Sequence, residues 1–180
     1  MKNVAVFGAG RIGRIHASNL AALPGVRLQY VCDAVPSAAA ELAQQLGAQV
    51  AELDQVLADP GVDAVAICSP TSTHSDLIAR AAAAGKHIFC EKPVDLSVPR
   101  AEAVARAVAE AGVACMIGFQ RRFDPTFNEA RRRLDAGEIG RPEMLVITSR
   151  DPGAPPVDYL KASGGIFRDM LIHDLDVFRW

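Results

Sequence analysis

Residues 4–15 read VAVFGAGRIGRI, and this stretch decides the fold. The apolar run at residues 2–7 has the composition of a β-strand, and the glycines after it have the spacing Gly-x-Gly-x-x-Gly. In a dinucleotide-binding turn, Gly8 would permit the tight turn, Gly10 would let a pyrophosphate approach the backbone, and Gly13 would let the next helix lie close to the strand. The alternative interpretation is an ordinary glycine-rich turn.

The residues after the turn favour the dinucleotide interpretation. A helix-like run at 14–23 would offer unpaired N–H groups and a partial positive charge to phosphates. A second strand-like run at 27–32 ends at Asp33, 20 residues after Gly13, where a carboxylate accepts a hydrogen bond from a ribose 2′-hydroxyl. Because Asp33 would repel a 2′-phosphate, we predict NAD as the cofactor. The predicted binding residues in this part of the chain are Gly8, Gly10, Arg11, Ile12, Gly13 and Asp33.

The composition limits the class of protein. The chain has 180 residues, half of them hydrophobic, which suffices for one core, or for one domain and part of another. A formal net charge of −2 provides no basic field for nucleic acid. No apolar run approaches the roughly 20 residues of a membrane helix, and the chain enters a strand at once, so we expect no membrane partner and no signal peptide.

The cysteines favour a reducing compartment. None forms a C-x-x-C pair, and each lies near the end of an apolar strand-like run. We interpret them as reduced, buried thiols of a cytoplasmic protein. The four are Cys32, Cys68, Cys90 and Cys115.

Strand-like and helix-like runs alternate as far as Gly118. The predicted strands are 2–7, 27–32, 48–51, 63–68, 87–90 and 113–118. The predicted helices are 14–23, 36–46, 53–58, 73–84 (with Thr73 as N-cap) and 97–111. This alternation predicts an α/β fold with a Rossmann-type, doubly wound parallel sheet in the strand order 3-2-1-4-5-6.

The pattern changes after residue 120. Asp124 and Pro125 begin an arginine-rich helix that ends near Gly137. A strand at 143–150, a proline- and glycine-rich loop at 151–156 and a helix at 166–180 are predicted to follow. We therefore predict an NAD-binding domain at 1–120 and the truncated start of an α+β substrate domain at 121–180.

Two polar stretches follow predicted strands of the sheet, at the edge where doubly wound folds bind ligands. After the fourth strand, small hydroxyl residues suit the nicotinamide half of a cofactor, although His74 could equally be structural. After the fifth strand, Lys92 could donate to a substrate hydroxyl or could be an ordinary surface lysine. The cofactor contacts predicted at this edge are Ser69, Thr71, His74, Glu91 and Lys92.

A third polar group lies on the predicted helix at 166–180. Asp169, His173 and Asp176 have the spacing i, i+4, i+7 and would share one face. An opposite apolar stripe is expected to be the packing face, so that the polar stripe points toward solvent or a cleft. A solvated face and a zinc site are the alternatives; no thiol pair or second close histidine supports zinc, and no metal is predicted. The apolar stripe consists of Phe167, Leu171, Leu175 and Phe178.

Five motifs occur in a fixed order, namely GAGRIG, CSPTSTH, EKP, GFQRRFDP and GGIFRDMLIHDLD. Together they resemble the Gfo/Idh/MocA oxidoreductase family, and the last motif with the preceding SRDPGAPP looks most like the bacterial inositol 2-dehydrogenases of that family. The resemblance extends over the whole chain. It implies NAD-dependent oxidation of a ring hydroxyl of a cyclic polyol, such as myo-inositol, or of a sugar, to a ketone.

The resemblance also implies roles for individual residues. Lys92, Asp169 and His173 match the catalytic group of the family, with His173 as the base, Asp169 orienting its ring and Lys92 stabilising the reacting oxygen. Arg122 matches an arginine that approaches the substrate. These four residues are the predicted substrate contacts, and the loop at 151–159 would add others.

Members of the family continue through a large open sheet, whereas this sequence ends at Trp180. We therefore expect a truncated chain whose full-length relatives form homo-oligomers. The expected partner is a small-molecule polyol or sugar, with no nucleic acid and no membrane. The alternative is a non-catalytic NAD(H)-binding module or regulator of the same family.

Overall fold

The computed structural model describes residues 1–150 and 152–180. These residues form two compact units, Met1–Gly118 and Phe119–Trp180. Asp151, the first residue of the predicted proline- and glycine-rich loop, lies outside the described residues.

The first unit contains a six-stranded parallel sheet in the order β3-β2-β1-β4-β5-β6. This confirms the predicted doubly wound fold and its strand order. Phe7 at the end of β1 is paired with Cys32 of β2 and Ile67 of β4, so these three strands end at the same edge of the sheet. The strands are β1 (Lys2–Phe7), β2 (Val26–Cys32), β3 (Gln49–Val50), β4 (Ala64–Ile67), β5 (His87–Cys90) and β6 (Cys115–Ile117).

Five helices of the first unit connect the strands. The first begins at Arg11, three residues before the predicted start, because Gly10 takes the N-cap position and its carbonyl oxygen accepts from the Arg14 amide at 2.9 Å. Two of the helices end at Gly47 and Gly112, whose left-handed φ angles of +68° and +67° suit glycine. The helices are α1 (Arg11–Ala22), α2 (Pro36–Leu46), α3 (Leu53–Ala58), α4 (His74–Ala83) and α5 (Val98–Ala111).

The core of the first unit lies on both faces of the sheet. Ala5 and Phe7 of β1 belong to one buried cluster, and Val6 belongs to the other. A central strand covered on both faces needs apolar residues at every position. This is why residues 4–7 form an unbroken apolar run rather than an alternating one.

The second unit is largely helical. The Asp124 carboxylate caps its first helix by accepting from the amides of Thr126 at 2.8 Å and Phe127 at 3.2 Å, at the predicted start. A 3₁₀ turn, Gln120–Phe123, precedes that helix. The helices are α6 (Pro125–Asp135), α7 (Val157–Ala162), α8 (Ile166–Asp169) and α9 (Ile172–Arg179).

Two predictions for the second unit are wrong. Residues 143–150 form no strand, because a strand requires a paired neighbour and none of the described residues of this unit provides one. The predicted helix at 166–180 is divided into α8 and α9. At the division, the Leu171 amide donates to the Ile166 carbonyl and the His173 amide to the Met170 carbonyl, so the regular i to i−4 ladder is lost.

Candidate active site

The glycine turn after β1 has the geometry of a phosphate cradle. A Cβ on Gly8 would lie 2.7 Å from backbone atoms of Cys68 and Ser69, and a Cβ on Gly13 only 1.8 Å from the Gly8 carbonyl oxygen. By contrast, apart from the chain neighbours of Gly10, no atom of the described residues lies within 4 Å of its Cβ position at the N-terminus of α1. A side chain at Gly10 would fill the open space that a pyrophosphate needs, so the turn fits a dinucleotide.

Asp33 stands beside this turn at the end of β2. One carboxylate oxygen accepts from the Ala9 amide at 2.6 Å and the other from the Val35 amide at 2.7 Å. These bonds fix the orientation of the carboxylate. Each oxygen keeps a second lone pair, with which it can accept from a ribose hydroxyl.

The loop after β4 is held together by its own hydroxyl groups. The Ser69 and Thr73 hydroxyls lie 2.6 Å apart, and Thr73 donates to the Pro70 carbonyl at 2.7 Å. Thr73 occupies the predicted N-cap position of α4 but makes no side-chain capping bond, because its hydroxyl serves this turn. Ser69 and Thr71 are half-buried.

The His74 ring, predicted to contact the cofactor, lies inside the unit. Only 1% of the residue is exposed. Its Nδ1 is 2.7 Å from the Pro93 carbonyl oxygen and its Nε2 is 2.9 Å from the Ser69 carbonyl oxygen. Both ring nitrogens therefore face backbone atoms of the protein.

Glu91 and Lys92 follow β5, and both are half-buried. A Glu91 carboxylate oxygen lies 2.7 Å from Nε2 of His16, whose ring is 4.8 Å from the ring of Phe89. Burial raises the pKa of the Glu91 carboxyl, but the contacts with His16 and Lys92 outweigh it and leave the pKa below its ordinary value. The other Glu91 oxygen accepts from the Lys92 amide at 3.2 Å.

His16 was not among the residues predicted to contact Glu91. The available signal was helix spacing, because His16 follows Gly13 by three residues and precedes Ala17, and both of these neighbours are buried. A histidine on the buried face of α1 needs a polar partner from the sheet. The spacing does not identify that partner as Glu91.

In the second unit, Asp169 is the last residue of α8 and His173 lies in the first turn of α9. Both are half-buried. The Tyr159 hydroxyl donates to Asp169 at 2.7 Å, and the Phe119 ring meets the His173 ring edge-on at 6.3 Å. The two predicted catalytic residues thus belong to two short helices, and the continuous helix invoked to place them on one face is absent.

Arg122 forms a bidentate ion pair with Asp176, in which Nε donates to Oδ2 at 2.8 Å and Nη2 donates to Oδ1 at 2.7 Å. The hydrogen bonds to this carboxylate raise the pKa of Arg122, and the guanidinium also lies 6.0 Å from the centre of the Trp180 ring. Arg122 was predicted to approach the substrate. In this structure its guanidinium connects the 3₁₀ turn before α6 to α9.

Asp174 forms a second such connection, which sequence analysis did not identify. Its carboxylate accepts from the Ser149 hydroxyl at 2.7 Å and pairs with Arg121. Burial raises the pKa of Asp174, but these two partners outweigh it and hold the pKa below its ordinary value.

The expected division of the 166–180 segment into a packed apolar face and an open polar face is wrong. Phe167, Leu175 and Phe178 are 70%, 55% and 69% exposed, whereas Asp176 is half-buried against Arg122. In the second unit, the face of α9 that carries Asp176 is covered by the bidentate ion pair with Arg122 rather than by apolar contacts.

Within residues 1–150 and 152–180, no group of three or more histidine, cysteine, aspartate or glutamate residues could hold a metal ion. None of the described helices is both long and apolar enough to cross a membrane.

Two family models match the chain, one over most of the first unit and one over most of the second. Residues 2–119 match the GFO_IDH_MocA model, described as "Oxidoreductase family, NAD-binding Rossmann fold", and residues 127–180 match the GFO/IDH/MocA C-terminal domain. The chain belongs to the Gfo/Idh/MocA oxidoreductase family. Its first unit is the NAD-binding Rossmann domain of the Gfo/Idh/MocA family.

Relatives within the Gfo/Idh/MocA family carry inositol names. The chain is 52% identical over 175 residues to an inositol 2-dehydrogenase of Rhizobium meliloti (strain 1021), covering 97% of the chain and 53% of the relative. It is 49% identical over 179 residues to scyllo-inositol 2-dehydrogenase (NAD(+)) of Bacillus subtilis (strain 168), covering 98% and 52%. The chain spans about half the length of the curated relatives it matches.

A solved structure agrees with these relatives. The scyllo-inositol dehydrogenase from Lactobacillus casei, with bound NAD(H) and scyllo-inositol, is similar with a TM-score of 0.88 and 34% identity. The alignment covers 100% of this chain and 56% of that one.

Proposed function

We propose that the chain supplies the cofactor-binding and catalytic residues of an NAD-dependent dehydrogenase. The enzyme oxidises a ring hydroxyl of a cyclic polyol such as myo-inositol, or of a sugar, to a ketone. The observation that carries the proposal is 52% identity to an inositol 2-dehydrogenase across 97% of the chain. All three predicted catalytic side chains, Lys92, Asp169 and His173, lie within this matched length.

The cofactor binds to the first unit in this proposal. The open space at Gly10 receives the pyrophosphate, and Asp33 accepts from the ribose. When bound, NAD supplies the hydride acceptor of the reaction. The other proposed contacts are Gly8, Arg11, Ile12, Gly13, Ser69, Thr71, Glu91 and Lys92.

The proton chemistry falls to three side chains. Histidine exchanges protons near neutral pH, so His173 acts as the base that removes the hydroxyl proton. Asp169 orients the His173 ring and stabilises its protonated form. Lys92 donates a hydrogen bond to the reacting oxygen and stabilises the negative charge that develops there.

Location and assembly are part of the proposal. The four cysteines form no disulfide among the described residues. Burial raises the pKa of the Cys32 and Cys68 thiols to about 12. Cys32 and Cys90 are buried and Cys68 and Cys115 are half-buried, and free thiols of such low acidity support a cytoplasmic location. A homo-oligomer of the full-length protein, as the family resemblance implies, is the expected assembly.

A binding and turnover experiment tests the proposal. NAD affinity is measured by calorimetry, and NADH formation is followed with myo-inositol, scyllo-inositol and common sugars, on this chain and on a full-length version. We expect NAD binding in both and inositol-dependent NADH formation in the full-length version. NAD binding without turnover there would favour the non-catalytic module, and absence of NAD binding would overturn both functions.

A further inference from the structure

His74 joins two loops that lie side by side at the ligand edge of the sheet. The residue is the first of α4 and is 1% exposed. One ring nitrogen faces the Pro93 carbonyl in the loop after β5, and the other faces the Ser69 carbonyl in the loop after β4. A single buried side chain thus bridges the backbones of both loops.

This bridge requires a side chain that donates hydrogen bonds. A carbonyl oxygen only accepts, so each contact is a hydrogen bond when the facing nitrogen carries a proton. The neutral ring supplies one such proton and the imidazolium supplies two. A phenylalanine ring could fill a similar space but would leave the buried Pro93 carbonyl and the partly buried Ser69 carbonyl without this donor, which is costly.

The next residue attaches the same loop a second time. The Ser75 hydroxyl donates to the Asp95 carboxylate at 2.5 Å and lies 3.3 Å from the Val94 carbonyl oxygen. The start of α4 therefore contacts the loop after β5 at three consecutive residues. Lys92 directly precedes this anchored segment, and its own amide donates to Glu91.

We propose that His74 is a positioning residue for Lys92. By bridging the Ser69 and Pro93 carbonyls, its imidazole fixes the loop after β5 against the loop after β4. Lys92 consequently leaves the sheet at one defined place. The consequence for turnover rests on the proposed function, whereas the consequence for the loop does not.

The test compares three variants. His74→Phe keeps a ring without a donor, and His74→Gln keeps one donating nitrogen. His87→Gln is the control, since His87 is an exposed histidine at the opposite end of β5. In the 180-residue chain, titration with NAD counts the folded sites, and mass spectrometry of limited acetylation gives the rate at Lys92 relative to exposed Lys2.

We expect His74→Phe to change the Lys92-to-Lys2 rate ratio by about tenfold, the effect of losing one typical buried hydrogen bond. His74→Gln should lie between that variant and the wild type, and His87→Gln should match the wild type. In the full-length version, turnover per NAD-binding site should follow the same order. It should fall about 10²-fold in His74→Phe, as expected for misplacement near 1 Å, and far more than NAD affinity falls.

Three outcomes would contradict the proposal. The first is that His74→Phe loses NAD-binding sites while the sites that remain keep the wild-type Lys92 reactivity and turnover. That result is expected if His74 contributes only to folding. The second is an effect of His87→Gln as large as that of His74→Phe. If His74→Phe does not fold, His74→Gln is the variant that tests the proposal. The third contradicting outcome is a wild-type Lys92-to-Lys2 rate ratio in His74→Gln. A wild-type protein without NAD binding or turnover would defeat the proposed function, while the rate ratio would still test the loop.

Discussion

Asp33 governs the predicted choice of cofactor at the scale of a single residue. Its carboxylate is held beside the glycine turn by the Ala9 and Val35 amides. We expect NAD to bind more tightly than NADP by about tenfold or more, because a hydrogen bond to a charged group contributes about 1.5–3 kcal/mol and a 2′-phosphate would be repelled. Calorimetry with both cofactors, on the wild type and on Asp33→Ala, measures the preference.

Asp54→Ala is the matched control, since the Asp54 carboxyl is 87% exposed and pairs with Arg80 on the surface. It should leave the preference intact. Equal or tighter binding of NADP by the wild type, or an unchanged preference in Asp33→Ala, would refute this prediction.

Lys92 and His173 carry the second prediction at this scale. In a full-length version, Lys92→Ala and His173→Ala should each lower kcat by about 10²–10⁴-fold, the usual contribution of general acid–base groups. Both substitutions should lower kcat far more than they weaken NAD binding. Steady-state kinetics and calorimetry separate the two effects, and His87→Ala serves as the control. Near-normal turnover in either variant would remove that residue from the mechanism, and loss of activity on chelation would restore the metal alternative.

At the scale of elements, α6 offers a test of its predicted start. Asp124→Ala removes the side chain that accepts from the Thr126 and Phe127 amides, and should destabilise the helix by about 1 kcal/mol. Asp135→Ala at the other end removes only an exposed ion pair with Arg131 and should cost less than about 0.5 kcal/mol. Hydrogen exchange of residues 126–135 compares them, and equal effects would argue against the cap.

The junction between α4 and α5 predicts a pH dependence. Burial raises the pKa of Asp95, but the hydrogen bonds from Ser75, Arg100 and Ser97 outweigh it and lower the pKa from 3.8 to about 2. A depressed carboxyl pKa stabilises the fold above the unfolded pKa, and this contribution is lost as the pH falls through the folded pKa. We therefore expect the free energy of unfolding to decrease between about pH 4 and pH 2.

Urea unfolding at a series of pH values measures this decrease. Asp95→Asn should flatten the curve in that window. Asp76→Asn is the control, because Asp76 shares the partner Arg100 but is 73% exposed. The assignment to Asp95 fails if both variants keep the wild-type slope.

At the scale of the whole molecule, the two units should differ in stability. Met144 and Val146 are 84% and 78% exposed, and Phe178 is 69% exposed, whereas residues 4–7 of β1 are buried. Burial of apolar surface contributes about 25 cal/mol per Å² to stability. Apolar side chains that stay exposed therefore contribute little. We expect residues 143–180 to exchange amide hydrogens much faster than residues 1–118.

The same difference predicts that this chain binds NAD but oxidises polyols very weakly. Catalysis needs His173 held within about 0.5 Å of its productive position, which a loosely packed unit does not provide. Hydrogen exchange followed by mass spectrometry, with turnover measured alongside, tests both expectations. Uniform protection, or turnover equal to that of a full-length homologue, would contradict them.

Local patterns in the sequence determined the sheet, its strand order and the glycine turn. The strands and the glycine turn were predicted from residues close together in the chain, and the strand order from the alternation of strands with helices. An unbroken apolar run specifies a strand buried on both faces, and glycine at Gly13 is required by the Gly8 carbonyl oxygen, five residues earlier and 1.8 Å from the Cβ position. The start of α6 at Asp124 is equally local, because the cap bonds to amides two and three residues later.

Only the tertiary structure decided which distant side chains meet. His74 faces a carbonyl 19 residues away, Arg122 pairs with an aspartate 54 residues away, and His16 meets a glutamate 75 residues away. Spacing along one helix or strand contains no information on such partners, because they depend on how separate elements pack. For the same reason, the alternation at residues 143–150 predicted a strand, although a strand forms only where a neighbour supplies its hydrogen bonds.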